Sequence, residues 1–360
     1  MVAGTRPNFV KIAPLLRAAR RASVEMPWVH TGQHFDPSLS DAMLADLGLP
    51  PPRVSLAVGA GSPSTQTARI LLALGPVLDD LAPDVVVVVG DVTSTLAAAL
   101  AAANVGRPLA HVEAGLRSFD RTMPEERNRV LTDHLSDVLY VSEPAGLVHL
   151  RREGVPRARV RLVGNPMVDA LRAALPAIDR RAPAARGEVV VTLHRPANVD
   201  DPGRLAALCE ALARAARRRP VAFPVHPRTR RRLEEAGLTG RLKTAGVEVL
   251  EPLGYLEFLA RVRSAAVVAT DSGGLPEEAA VLGVPCLTLR RTTERPMTVS
   301  HGTNRLLGGD PRRLPAAIED AAAHPRGARR RSPLWDGHAA ERIVSDLVRR
   351  FPSSRIRTTT

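Results

Sequence analysis

The chain has 360 residues, 44% hydrophobic and 24% charged, with a formal net charge of +13. That length suits two domains of ordinary size, and no apolar run approaches the roughly 20 residues that span a bilayer, so a membrane protein is not expected. Two cysteines, Cys209 and Cys286, argue against a disulfide framework and for a reduced cytoplasm, while the basic excess is almost wholly arginine, in clusters with few nearby aromatics, and reads as solvated surface rather than a nucleic-acid face.

In chain order, Met1-Val2-Ala3 is too short for a central strand of about five residues, so the natural start is expected upstream; these residues also lack the pattern of a secretory leader. Gly4-Thr5-Arg6-Pro7 then turns into a helix, where backbone N–H groups with Arg6 and Lys11 suit an anion; a plain strand–helix turn is the alternative. It is not the GxGxxG fingerprint, and none occurs elsewhere, so NAD and FAD are not expected. Val85 to Val89 is an unbroken β-branched run, which predicts a strand buried on both faces of a parallel sheet. Asp91 projects from its end, as either a helix cap or a functional carboxylate.

Strands follow at 109–112 and 138–141, with a helix beginning near Pro124. Glu113 ends a strand, and Glu125 and Glu126 fall in the first turn of that helix, with Arg129 four residues beyond Glu125. A capped helix with a local ion pair accounts for Glu126 but not for two carboxylates, Glu113 and Glu125, converging on one strand-end edge. Such a pair lets an enzyme hold one acid and one base near neutrality. After a helix from Met167, the Ala/Pro/Arg-rich stretch 176–187 reads as a linker or surface loop.

A second strand–helix series begins at Val189 and runs through 221–225, 247–250, 267–270 and 285–289, which predicts a second Rossmann-like α/β domain. His194 stands at the first of these strand ends. Thr270-Asp271-Ser272-Gly273-Gly274 turns a buried strand into a helix, an anion cradle with a carboxylate one turn further on that suits ribose hydroxyls. Arg290 to Arg295 follows the next strand. The ten histidines and two cysteines lack zinc-like spacing and HExxH is absent, so no metal is expected; Gly-x-Ser-x-Gly is also absent.

Together GTRPNFVK, TGQHFD, VGDVTSTLAAAL, HVEAGLRSFDRTMPEERNR, GNPMVDAL, TLHRPANVD, PVHPRT, LEPLGYLEFL, TDSGGLPEEA and TTERP resemble the non-hydrolysing UDP-N-acetylglucosamine 2-epimerase family over almost the whole chain. The resemblance implies a GT-B arrangement of two Rossmann-like domains with parallel sheets facing across a cleft. The expected division is 1–167, 168–337, and a C-terminal helix and tail, 338–360, returning to the first domain. It implies reversible C2 epimerisation of UDP-N-acetylglucosamine, without a cofactor, by anti elimination of UDP and re-addition through a 2-acetamidoglucal. By motif position the proton carriers are Asp91, Glu113 and Glu125, with His194 near the leaving phosphate. Arg6, Lys11, Arg129, Ser272, Gly273, Gly274, Glu278 and Arg295 carry over as nucleotide-sugar contacts, and Gln33, Arg69 and Arg195 as an activator site. A cytoplasmic homodimer is the family precedent. Asn8, Ala197 and Pro276 depart from the commoner motifs; relatives in the family act on UDP-2,3-diacetamido uronic acid sugars, the alternative substrate, and Asn8 with the Asp-Arg-Thr-Met-Pro segment resembles a separate branch. A GT-B glycosyltransferase is the other alternative, disfavoured by the paired carboxylates.

Overall fold

The computed structural model describes residues 1–33, 43–183, 187–325 and 334–352. The chain divides into two compact units, Met1–Arg172 with Pro333–Thr360, and Ala173–Ser332.

The first unit is built on a parallel sheet of β1 (Val2–Ala3), β2 (Val29–His30), β3 (Val54–Ser55), β4 (Val86–Val89), β5 (Leu109–Ala114), β6 (Val138–Val141) and β7 (Val160–Leu162), in the order β3-β2-β1-β4-β5-β6-β7. The four valines of β4 are all buried, as a strand covered by helices on both faces requires. The neighbouring helix Thr93–Asn104 is mostly alanine, and Ala97, Ala98, Ala99, Ala101 and Ala102 are buried in the core with Ile70, Leu74 and Val88. Small side chains let this helix settle between helices Pro63–Leu81 and Pro124–Leu135.

The last helix, Ala339–Arg350, packs on the first, Arg6–Arg21. Tyr140 donates to Asp346 at 3.1 Å, and the Ala340 N–H donates to the Asp169 carboxylate at 2.7 Å. Burial pushes the Asp169 carboxyl up to about 6, although that N–H pulls the other way. An unfolded aspartate titrates near 4, so the raised native value gives stability that is full below pH 4 and lost as pH rises through 6. Asp169→Asn keeps an acceptor for Ala340 and is expected to stabilise the protein by about 2 kcal/mol at pH 8 with little effect at pH 4. Thermal melts at the two pH values check this; an equal shift at both would show that a buried charge is not the cause.

The second unit holds β8 (Val189–Thr192), β9 (Val221–Pro224), β10 (Val247–Leu250), β11 (Val267–Thr270), β12 (Cys286–Thr288) and β13 (Asn304–Leu306), all parallel, in the order β10-β9-β8-β11-β12-β13. Valines from β8, β9, β10 and β11 pack with Leu205, Leu208, Leu212 and Phe223 into one core. The stretch expected as a linker from 176 is corrected in part: helix Pro166–Arg181 runs through Pro176 to Arg181. Of the remainder, 184–186 lie outside the described residues.

Strand order decides where chemistry sits. In each sheet the order reverses beside the first strand, between β1 and β4 and between β8 and β11. Helices leave toward opposite faces there, so the loops after those strands part and open a crevice at the carboxyl ends.

Candidate active site

In the first unit the crevice is walled by the turns after β1, β4 and β5. Gly4 leaves no room for a side chain, since a β-carbon would lie 2.2 Å from Ser94 Oγ and 2.3 Å from Thr31 Oγ1. Asn8 locks this turn: its Oδ1 accepts the Thr5 N–H at 3.2 Å and its Nδ2 donates to the Val89 carbonyl at 3.0 Å. A glutamate there would offer that carbonyl no donor when ionised. Arg6 begins the helix, half-buried, and among the described residues no hydrogen bond or ion pair engages it.

Lys11 lies one turn further on and forms a buried ion pair with Glu113, the two side chains 10% and 3% exposed. Glu113 has φ 76°, a left-handed conformation rare for a non-glycine residue, at a register irregularity between Val112 and Ala114. An extra residue in a strand re-aims a side chain at local backbone cost, and such strain gathers at functional sites. Gly90 abuts the pair, its β-carbon position 3.1 Å from Lys11 Nζ and 3.5 Å from Glu113 Oε2.

Asp91 follows. Arg129 Nε donates to its Oδ2 at 3.1 Å, and Asn128 Nδ2 donates to its backbone carbonyl at 2.9 Å. Helix Pro124–Leu135, which bears Glu125 in its first turn, therefore meets the Asp91 turn through Asn128 and Arg129. Glu125 is half-buried, and among the described residues no hydrogen bond or ion pair engages it. Arg129, four residues beyond Glu125 on the same helix, reaches instead to Asp91 and, at 2.9 Å, to Glu126. Glu126, accounted for from sequence by a capped helix with a local ion pair, is 3% exposed and accepts the Ser118 and Phe119 N–H groups at 2.8 and 2.9 Å.

Behind these turns lies a polar network that sequence reasoning missed. His111 Nδ1 meets Asp133 Oδ1 at 2.7 Å, and its Nε2 meets the Gly90 carbonyl at 2.8 Å. Asp133 Oδ2 accepts the Gly115 N–H at 3.1 Å and pairs with Arg117 at 2.7 Å. Although burial pushes the Asp133 carboxyl up, His111 and Arg117 hold it below the ordinary carboxylate range. Period-two spacing was the available signal, since His111 precedes Glu113 by two in a strand; nothing local marks Asp133.

The second unit's crevice is organised by Asp271, fully buried, which accepts the N–H groups of His194 and Arg195 at 3.1 Å each and Asn198 Nδ2 at 3.0 Å. Its carboxylate also stands 3.2 Å from His194 Nδ1. Burial lowers the His194 pKa, with Asp271 pulling it back in part. A neutral ring giving Nδ1–H to Asp271 turns its Nε2 lone pair outward. Ser272 Oγ accepts the Gly274 and Leu275 N–H groups at 3.3 and 3.4 Å, capping its own helix. A β-carbon on Gly273 would meet Glu294 Oε1 at 2.6 Å, so glycine is needed for close approach. Glu278 is buried, and burial pushes its carboxyl up to about 7. Arg295 is also buried and lies 3.2 Å from Glu277.

Of the remaining expected residues, Gln33 and Arg69 meet one loop: Gln33 accepts the Ser94 N–H at 3.1 Å, Gln66 bridges the Gln33 and Gly59 carbonyls, and Arg69 donates to Val58 at 3.1 Å. Arg195 stands in the second unit, donating to the Asp271 carbonyl at 2.9 Å. Among the described residues no cluster of three His, Cys, Asp or Glu side chains suits a metal ion, and no helix is long and apolar enough to cross a membrane.

A family model for UDP-N-acetylglucosamine 2-epimerase matches residues 17–348. The UDP-N-acetylglucosamine 2-epimerase of Methanocaldococcus jannaschii is 40% identical over 360 residues, 97% of this chain and 98% of that one. The UDP-2,3-diacetamido-2,3-dideoxy-D-glucuronate 2-epimerase of Pseudomonas aeruginosa is 41% identical over 313 residues, 85% and 87% of the two chains. A crystal structure of the M. jannaschii UDP-GlcNAc 2-epimerase in complex with UDP-GlcNAc and UDP superposes with a TM-score of 0.89 at 38% identity, covering 97% and 98%. The two parallel sheets are of the GT-B-like type found in such neighbours.

Proposed function

We propose, on the premise that this chain belongs to the UDP-N-acetylglucosamine 2-epimerase family and is an isomerase, that it inverts C2 of UDP-N-acetylglucosamine by elimination and re-addition of UDP. The observation that carries this reading is the clustering of Asp91 and Glu113 at one strand-end crevice, where Arg129, from the helix that bears Glu125, holds Asp91. Anti elimination of the C2 proton and the anomeric oxygen leaves a 2-acetamidoglucal; return of a proton to the opposite face of C2 and re-addition of UDP give the manno isomer. Such a sequence needs proton carriers on both faces, and the environments of the carboxylates differ: Glu113 is ion-paired and buried, Asp91 is ion-paired and partly exposed, and Glu125 is half-buried.

The C2 proton is weakly acidic, so departure of the diphosphate must lead and electrostatic stabilisation of the leaving group supplies much of the rate. His194, with Nε2 turned outward, suits that end of the substrate, together with the Ser272-Gly273-Gly274 turn. Glu278 one turn beyond suits the ribose hydroxyls. A UDP-2,3-diacetamido uronic acid is the second substrate reading, favoured by the identity to the Pseudomonas enzyme.

Proton NMR of the protein with UDP-N-acetylglucosamine in D2O tests the proposal. The expected result is the manno isomer carrying deuterium at C2. Conversion without deuterium would exclude proton exchange with solvent, and no conversion, with UDP still bound, would transfer the proposal to the uronic acid substrate.

A further inference from the structure

We infer that His111 and Asp133 are positioning residues for the epimerisation, a buried pair that clamps the turns bearing Asp91 and Glu113 in one fixed relation. The inference rests on the acid–base roles proposed above for those two carboxylates.

The pair sits behind β4 and β5 and is fully buried. Its outward bonds end on backbone atoms beside the two carboxylates. His111 Nε2 donates to the carbonyl of Gly90, the residue before Asp91, at 2.8 Å. Asp133 Oδ2 accepts the N–H of Gly115, two residues after Glu113, at 3.1 Å. His111 Nδ1 and Asp133 Oδ1, 2.7 Å apart, join the two anchors.

Both turns need anchoring. Gly90, Glu113 and Gly115 have φ of 70°, 76° and 78°, a left-handed conformation that for Glu113 carries strain and persists only where the surroundings over-determine it. The Glu113 side chain pairs with Lys11. Asp133 comes from the same helix as Arg129, so one element reaches both turns, holding the Asp91 carboxylate through Arg129 and the backbone beyond Glu113 through Asp133. Misplacing a reacting group by about 1 Å costs on the order of 10²-fold in rate.

The test compares Asp133→Asn and His111→Asn, whose shorter amide cannot reach the Gly90 carbonyl, with Glu153→Gln, which loosens Arg117 at the far end of the same network. Expected for the first two is a fall in kcat on the order of 10²-fold, with KM and the UDP Kd within about threefold of wild type. Glu153→Gln is expected to lower Tm while keeping kcat. Should Asp133→Asn fail to fold, His111→Asn and His111→Gln carry the same comparison, the glutamine variant regaining kcat because its amide takes the place of Nε2 on the Gly90 carbonyl. A kcat that tracks Tm across all variants, Glu153→Gln included, overturns the inference, as does wild-type kcat in His111→Asn. Absence of C2 exchange in the wild-type protein would instead defeat the functional reading beneath it.

Discussion

Glu113→Gln is expected to lower turnover of the UDP-sugar by about 10³-fold while the UDP Kd stays within about threefold, because a neutral amide can neither take nor return the C2 proton. The same change is expected to destabilise the first unit by about 3 kcal/mol, since it strips Lys11 of its buried counter-charge. The two effects separate in the double variant Lys11→Met/Glu113→Gln. Removing both charges of a buried pair relieves most of the penalty that removing one creates, so urea unfolding should return close to wild type. Turnover should not return with it. Recovery of both together would mean that Glu113 serves the fold through Lys11 and takes no part in proton transfer.

Asp271→Ala is expected to have the largest effect on stability, about 3–5 kcal/mol. Three donors converge on a fully buried carboxylate, the backbone N–H groups of His194 and Arg195 and the Asn198 amide, and alanine leaves the two N–H groups without that acceptor and the amide with only the Leu289 carbonyl. For a unit of this size that corresponds to roughly a 10 °C fall in Tm. Asp271→Asn keeps one acceptor oxygen but turns an amide toward the remaining donors, so about half the loss is expected. Urea titration followed by circular dichroism measures both. A change below about 1 kcal/mol for the alanine variant would show that water reaches these donors and that Asp271 does not organise the turn.

The two predictions bear on residues that the sequence displayed unequally. Glu113 and Asp91 were legible because each follows a short apolar strand whose own pattern announces it, and a carboxylate at such an end is placed for chemistry. Asp271 stood inside the quoted Ser-Gly-Gly motif, yet its role as acceptor for the turn after β8 depends on β8 and β11 being neighbours, 76 residues apart for Arg195. The linker expected from 176 failed for a different reason. Its Ala/Pro/Arg-rich composition was the ground for that reading, yet alanine and arginine are good helix formers, and the helix runs through Pro176.

The sequence by itself determined the class of the molecule and the ends where its chemistry lies. Runs of valine separated by helical segments force parallel sheets covered on both faces, and such sheets expose function only beyond their carboxyl ends. The family followed from motifs that are themselves strand-end turns. Only the tertiary structure decided which charge meets which. Local spacing set Arg129 beside Glu125, whereas the fold takes it to Asp91, 38 residues away, and Lys11 to Glu113; it also brings His111 to Asp133, which no local pattern marks. Helical and strand periodicities report the face a residue occupies, a local property of the backbone. The partner it finds on that face is set by strand order and register, which the hydrophobic pattern of any one segment does not contain.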